Sequence, residues 1–68
     1  MNPPPLYPCP CCGVRTVSER GAYEICEVCG WEDDPGQRRN PFFRGGANEE
    51  SLHDARRRWK RKEKRENR

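Results

Sequence analysis

Three observations predict a small metal-stabilised α+β fold. Two Cys-x-x-Cys pairs lie thirteen residues apart, Cys9/Cys12 and Cys26/Cys29. The 68-residue chain is only 31% hydrophobic and 37% charged, so apolar burial alone does not offset its chain entropy. A single apolar helical face recurs near the C-terminus, at Leu52, Ala55 and Trp59. Together they predict a zinc ribbon, a β-hairpin carrying two Cys-x-x-Cys knuckles, followed by one C-terminal helix.

The elements read as follows. Residues 1–5 form a flexible Pro-rich arm with polyproline character. The folded domain spans 6–59. Val14–Ser18 has strand character, Glu19-Arg20-Gly21 a turn, and Ala22–Ile25 the returning strand. Val14, Val17, Tyr23 and Ile25 are the apolar side chains this hairpin offers. Residues 32–47 contain turn formers without apolar periodicity and are expected to be irregular. Phe42, Phe43 or both are expected to cover the ribbon. The helix is expected from about 52, with Ser51 and Asp54 spaced as in a capping box. Its Leu52/Ala55/Trp59 face is expected to pack on the hairpin and Trp31. Past Trp59 the apolar face ends, so 60–68 is a basic extension or tail expected to fray without a partner.

Five cysteines admit a disulfide framework or a metal site. The chain opens Met-Asn-Pro-Pro-Pro, without a basic region leading into an apolar one, and no apolar run is long enough to cross a bilayer. The expectation is a cytoplasmic protein that keeps its thiols reduced, which favours metal. Zinc takes four sulfurs in a tetrahedron, and each Cys-x-x-Cys turn supplies two. Gly13 and Gly30 follow the second cysteine of each pair, where the backbone must turn sharply. The expected ligands of Zn²⁺ are Cys9, Cys12, Cys26 and Cys29. All four positions being cysteine, none is left for water, so the site reads as structural. Cys11 competes with Cys12 as ligand, but Cys-x-Cys is the poorer chelating spacing. The remaining thiol is either a reactive group or a spectator.

The segments Tyr7-Pro8-Cys9-Pro10-Cys11-Cys12-Gly13, Tyr23-Glu24-Ile25-Cys26-Glu27-Val28-Cys29 and Trp31-Glu32-Asp33-Asp34 resemble the bacterial cysteine-rich CPCC family. Arg44-Gly45-Gly46-Ala47-Asn48, Ser51-Leu52 and Ala55-Arg56 resemble that family's closing motif. The resemblance covers residues 7–59 and implies a small zinc-ribbon-like domain. It implies no particular activity. After Trp59 the chain is more basic than the family's usual ending.

The net charge of +3 conceals two halves. Residues 1–54 carry five basic and nine acidic side chains, a net −4; residues 55–68 carry nine basic and two acidic, a net +7. Four thiolates holding Zn²⁺ would bring the total to about +1. The basic end suggests RNA or DNA as partner, with Arg56, Arg57, Arg58, Lys60, Arg61, Lys62, Lys64 and Arg65 as contacts. Trp59 is either core or a base-stacking surface. The alternative is a protein–protein adaptor using the acidic Glu32–Asp34 loop with Phe42 and Phe43. Catalysis is not expected: the single histidine, His53, has no evident base or nucleophile beside it, and no open metal position is available. The free chain is expected to be monomeric and to have no membrane contact.

Overall fold

The computed structural model describes residues 5–66, with side chains to Glu63. Most of the Pro-rich arm predicted over 1–5, and residues 67 and 68 of the basic tail, lie outside the described residues. Four elements follow in order: β1 (Tyr7–Pro8), β2 (Arg15–Val17), α1 (Pro35–Arg39) and α2 (Leu52–Glu66). The architecture is a small α+β fold with one two-stranded antiparallel hairpin and a C-terminal helix.

The strand pairing differs from the prediction. β2 does not pair with 22–25. It pairs with β1, Tyr7 opposite Val17 and Pro8 opposite Arg15, so the hairpin closes around the first cysteine pair. The second pair is enclosed the same way. Ile25 bridges Glu32, Tyr23 N–H donates to the Asp33 carbonyl at 3.1 Å, and Asp33 N–H donates to the Glu24 carbonyl at 2.9 Å. The backbone groups expected to face β2 are therefore used on the far side of the second knuckle. Tyr23, at φ 61°, also lies outside extended geometry. A side chain replaces the missing ladder: the Glu24 carboxylate accepts from Ser18 N–H, Ser18 Oγ and Glu19 N–H at 3.1, 2.7 and 2.7 Å.

Residues 35–39, expected to be irregular, form one turn of helix. Asp34 caps it, accepting from Gly36 and Gln37 N–H, and Pro35 occupies the first turn, where its missing N–H costs nothing. Too short for apolar periodicity, α1 is marked only by its cap. Its Gln37 is fully buried and organises the loop that follows. Gln37 Nε2 faces the carbonyls of Phe43 and Glu50 at 3.0 Å each and of Asn48 at 3.3 Å. Its Oε1 accepts from Asn48 N–H and Nδ2. The Asn48 amide in turn pairs with both backbone groups of Glu32, at 2.9 and 2.8 Å, as a neighbouring strand would. Gly46 passes so close that a Cβ there would stand 2.6 Å from Gln37 Cγ.

α2 begins at a cap. Ser51 Oγ accepts the Asp54 N–H at 3.1 Å, while the Asp54 carboxylate turns away to Arg44 at 2.9 Å. The helix runs on to Glu66, beyond the end of its apolar face. Leu52 and Ala55 are fully buried in one cluster with Cys9, Val17, Cys26 and Trp31. Trp59 is half-buried. Of the four apolar side chains assigned to the hairpin core only Val17 is buried; Val14, Tyr23 and Ile25 are exposed. Phe42 and Phe43, at 71% and 43% exposure, do not cover the cysteine region. The turn that carries them is tied to Gln37 and to the start of α2.

Candidate metal centre

The two knuckles repeat each other's backbone. Cys9 N–H donates to the Val14 carbonyl, and Cys26 N–H to the Trp31 carbonyl, each at 2.8 Å. Gly13 N–H returns to the Cys9 carbonyl and Gly30 N–H to the Cys26 carbonyl, again at 2.8 Å. Gly13 and Gly30 take φ values of 82° and 83°, the left-handed region that glycine enters without a Cβ clash. The chain thus makes the same turn twice, and both turns aim their sulfurs at one point. The Sγ atoms of Cys9, Cys12, Cys26 and Cys29 all lie within 4.8 Å of one another. Cys9 Sγ is 3.6 Å from Cys29 Sγ, and Cys12 Sγ is 3.7 Å from Cys26 Sγ. These contacts cross between knuckles and exceed a disulfide bond of about 2.05 Å. Four cysteines are positioned to bind a metal ion.

The surroundings prepare the sulfurs unequally. Burial opposes the Cys26 thiolate, but the Thr16 hydroxyl, 3.2 Å away, and the N–H groups of Cys29 and Val28 outweigh it and bring its pKa down to about 6. Cys12 is pushed up to about 12 by burial and by the crowding of Cys26, Cys29 and Cys9, against a backbone donor from Val14. Cys29 is likewise pushed up to about 12, by burial and then by Cys11 and Cys9, against the backbone of Trp31. The surroundings thus favour the thiolate at Cys26 and the protonated thiol at Cys12 and Cys29.

Cys11 stands outside this set of four. It is half-buried, packs on the core cluster and faces Cys29, and burial pushes its thiol up. That is the opposite of the lowered pKa a reactive thiol needs. Arg56 Nε donates to the Pro10 carbonyl at 2.7 Å and so pins α2 to the first knuckle. Neither Thr16 nor Arg56 is marked by sequence spacing as part of the site. Their roles depend on contacts that close only when the chain folds.

The basic residues divide into engaged and free. Arg56 is held by Pro10, Arg58 donates to the Glu50 carboxylate, and Lys62 Nζ lies 5.6 Å over the Trp59 ring. Arg57, Lys60 and Arg61 are exposed, and none takes part in an ion pair among the described residues. Lys64 and Arg65 lie on the backbone of α2, and their side chains are outside the described ones. The acidic loop is not a surface feature. Asp33 is 1% exposed, accepts from Gly21 N–H at 2.7 Å and lies 3.6 Å from Arg38 Nε. Asp34 is 7% exposed; the Ala47 N–H, with those of Gly36 and Gln37, holds its carboxyl below the usual range against the cost of burial. Two of the three acids expected to face an adaptor's partner are thus used inside the fold. Among the described residues no helix is long and apolar enough to cross a membrane.

A family model described as Cysteine-rich CPCC matches residues 7–65. No curated protein matches the chain.

Proposed function

The chain belongs to the cysteine-rich CPCC family, and on that footing we propose that it is a non-catalytic zinc-binding module whose basic helix contacts RNA or DNA. The observation that carries the metal half is the spacing of the sulfurs. A Zn–S bond of about 2.3 Å at tetrahedral angles sets sulfurs about 3.8 Å apart. The 3.6 and 3.7 Å separations fit that edge closely. An all-sulfur donor set favours zinc over hard cations. With all four positions taken by protein, the metal holds structure and leaves no site for an activated water. This zinc-ribbon reading keeps the two knuckles while replacing the long hairpin between them.

The nucleic-acid half rests on α2. Arg57, Lys60 and Arg61 lie on the side of the helix away from the buried Leu52/Ala55 face, free to meet phosphates. A cytoplasmic location is part of the same proposal. Zinc-loaded full-length protein bearing Arg57→Gln, Lys60→Gln and Arg61→Gln tests it by filter binding. The expected result is a loss of at least tenfold at about 0.1 M salt, with a shallower dependence of affinity on salt, because fewer counterions are released. Undiminished affinity with unchanged salt dependence overturns it.

A further inference from the structure

Among the described residues Phe42 is the most exposed of the large apolar side chains, at 71%, yet its turn is bonded into the fold. Its N–H faces Asn40 Oδ1 at 3.4 Å, and the Phe43 N–H closes the same turn on the Asn40 carbonyl at 3.0 Å. The preceding carbonyl, of Pro41, accepts the His53 N–H at 2.9 Å, which ties the turn to the start of α2. The Phe42 and His53 rings pack with centroids 4.7 Å apart and planes tilted by 35°. His53 and Arg57 are four residues apart on the helix, and Arg61 four further, so the three share one face, with Lys60 beside them. The aromatic pair is therefore the head of the free basic stripe. Asp54, the nearby carboxylate, is already neutralised by Arg44 and does not interrupt it.

An exposed aromatic ring on a turn bonded to a basic helix has one use that a purely electrostatic contact does not: stacking on an unpaired base. A duplex keeps its bases stacked and out of reach, whereas RNA loops and single-stranded segments splay them out. The other large aromatic near the basic residues, Trp59, is half-buried with Lys62 over its ring. We infer that Phe42, seated on His53, is a base-stacking platform beside the Arg57, Lys60 and Arg61 stripe, and that the ligand of this surface is a single-stranded nucleic acid. The inference rests on the reading of α2 as a nucleic-acid contact and adds the strandedness of the ligand and the residue that selects it.

The test is fluorescence anisotropy with zinc-loaded full-length protein and labelled RNA of about twelve nucleotides, a length within the usual single-strand site size. A duplex of the same sequence and the corresponding single-stranded DNA serve as comparisons. Phe42→Ala is expected to weaken single-stranded RNA binding by about 5- to 150-fold, the range that losing one base stack implies. Its zinc content and thermal midpoint stay unchanged because the ring is exposed, and its salt dependence stays that of the parent because no phosphate contact is lost. Phe42→Trp restores binding. Phe42→Ala affinity within twofold of the parent overturns the inference, as does duplex RNA binding equal to single-stranded RNA. The single-stranded RNA and DNA arms distinguish the two sources by which binds tighter, and failure of both to bind overturns the inference. If the inference is overturned while the Arg57/Lys60/Arg61 variant still loses affinity, the basic-helix reading stands without the platform. If that variant also binds normally, both fall.

Discussion

Cys12 Sγ stands 3.7 Å from Cys26 Sγ, while Cys11, its neighbour in the chain, turns toward Cys29 and the core. The two thiols thus point in different directions. Cys12→Ser is expected to lose stoichiometric zinc, because an alcohol at that corner leaves three sulfurs and an open position. Cys11→Ser is expected to keep one zinc per chain. Native mass spectrometry reads both; one zinc retained by Cys12→Ser and lost by Cys11→Ser would reverse the assignment. The set of four was legible in advance because Cys-x-x-Cys spacing is a local property of the chain. Gln37 was not. A glutamine among turn formers carries no local sign of burial. It becomes a fully buried hub only when residues 43, 48 and 50 return to it.

At the scale of elements, what the sequence conveyed was the turns rather than the pairings. Glycine after each second cysteine announced the left-handed positions at Gly13 and Gly30, and Ser51 announced the start of α2. The strands were misassigned because two- and three-residue strands have too few side chains to display a period of two. Their partners are chosen by the knuckle that each one flanks. Asp34 and Asp33 look like a charged loop in the sequence because their burial depends on Ala47 and Gly21, thirteen and twelve residues away. The knuckle geometry makes its own prediction. Nothing lies within 4 Å of a Cβ placed on Gly30, so the cost of substitution there is conformational rather than steric. Gly30→Ala is expected to cost about 1–2 kcal/mol, the penalty for a left-handed residue with a Cβ. Where folding and metal binding are one process, this appears as roughly a tenfold fall in zinc affinity. Gly30→Asn is expected to lose less, since asparagine tolerates that region. Competition against a chromophoric chelator gives both values; equal affinities for parent and Gly30→Ala would refute the argument.

At the scale of the whole molecule, the four-cysteine cluster and the core are the same object. Cys9 and Cys26, both buried, belong to the cluster that holds Val17, Trp31, Leu52 and Ala55, and Arg56 fastens α2 to the first knuckle. With zinc bound as proposed, removing the metal should therefore release the seat of α2 together with the two knuckles. Chelation at neutral pH is expected to lower the helical circular dichroism signal and shift the tryptophan fluorescence together, with both restored by one equivalent of zinc. Retention of the helical signal after confirmed zinc loss would show that α2 stands independently of the knuckles. The pH dependence follows from the same coupling. Cys12 and Cys29, pushed up to about 12 without metal, hold protons at neutral pH that zinc must displace, whereas Cys26, near 6, is already ionised there. A metal-bound thiolate has its pKa depressed relative to the unfolded thiol, so its stabilisation is present above the unfolded value and is lost as pH falls. The chelator concentration that unfolds half the protein should thus rise steadily from pH 6 to pH 8, and a flat profile would mean that the protons leave before the metal arrives.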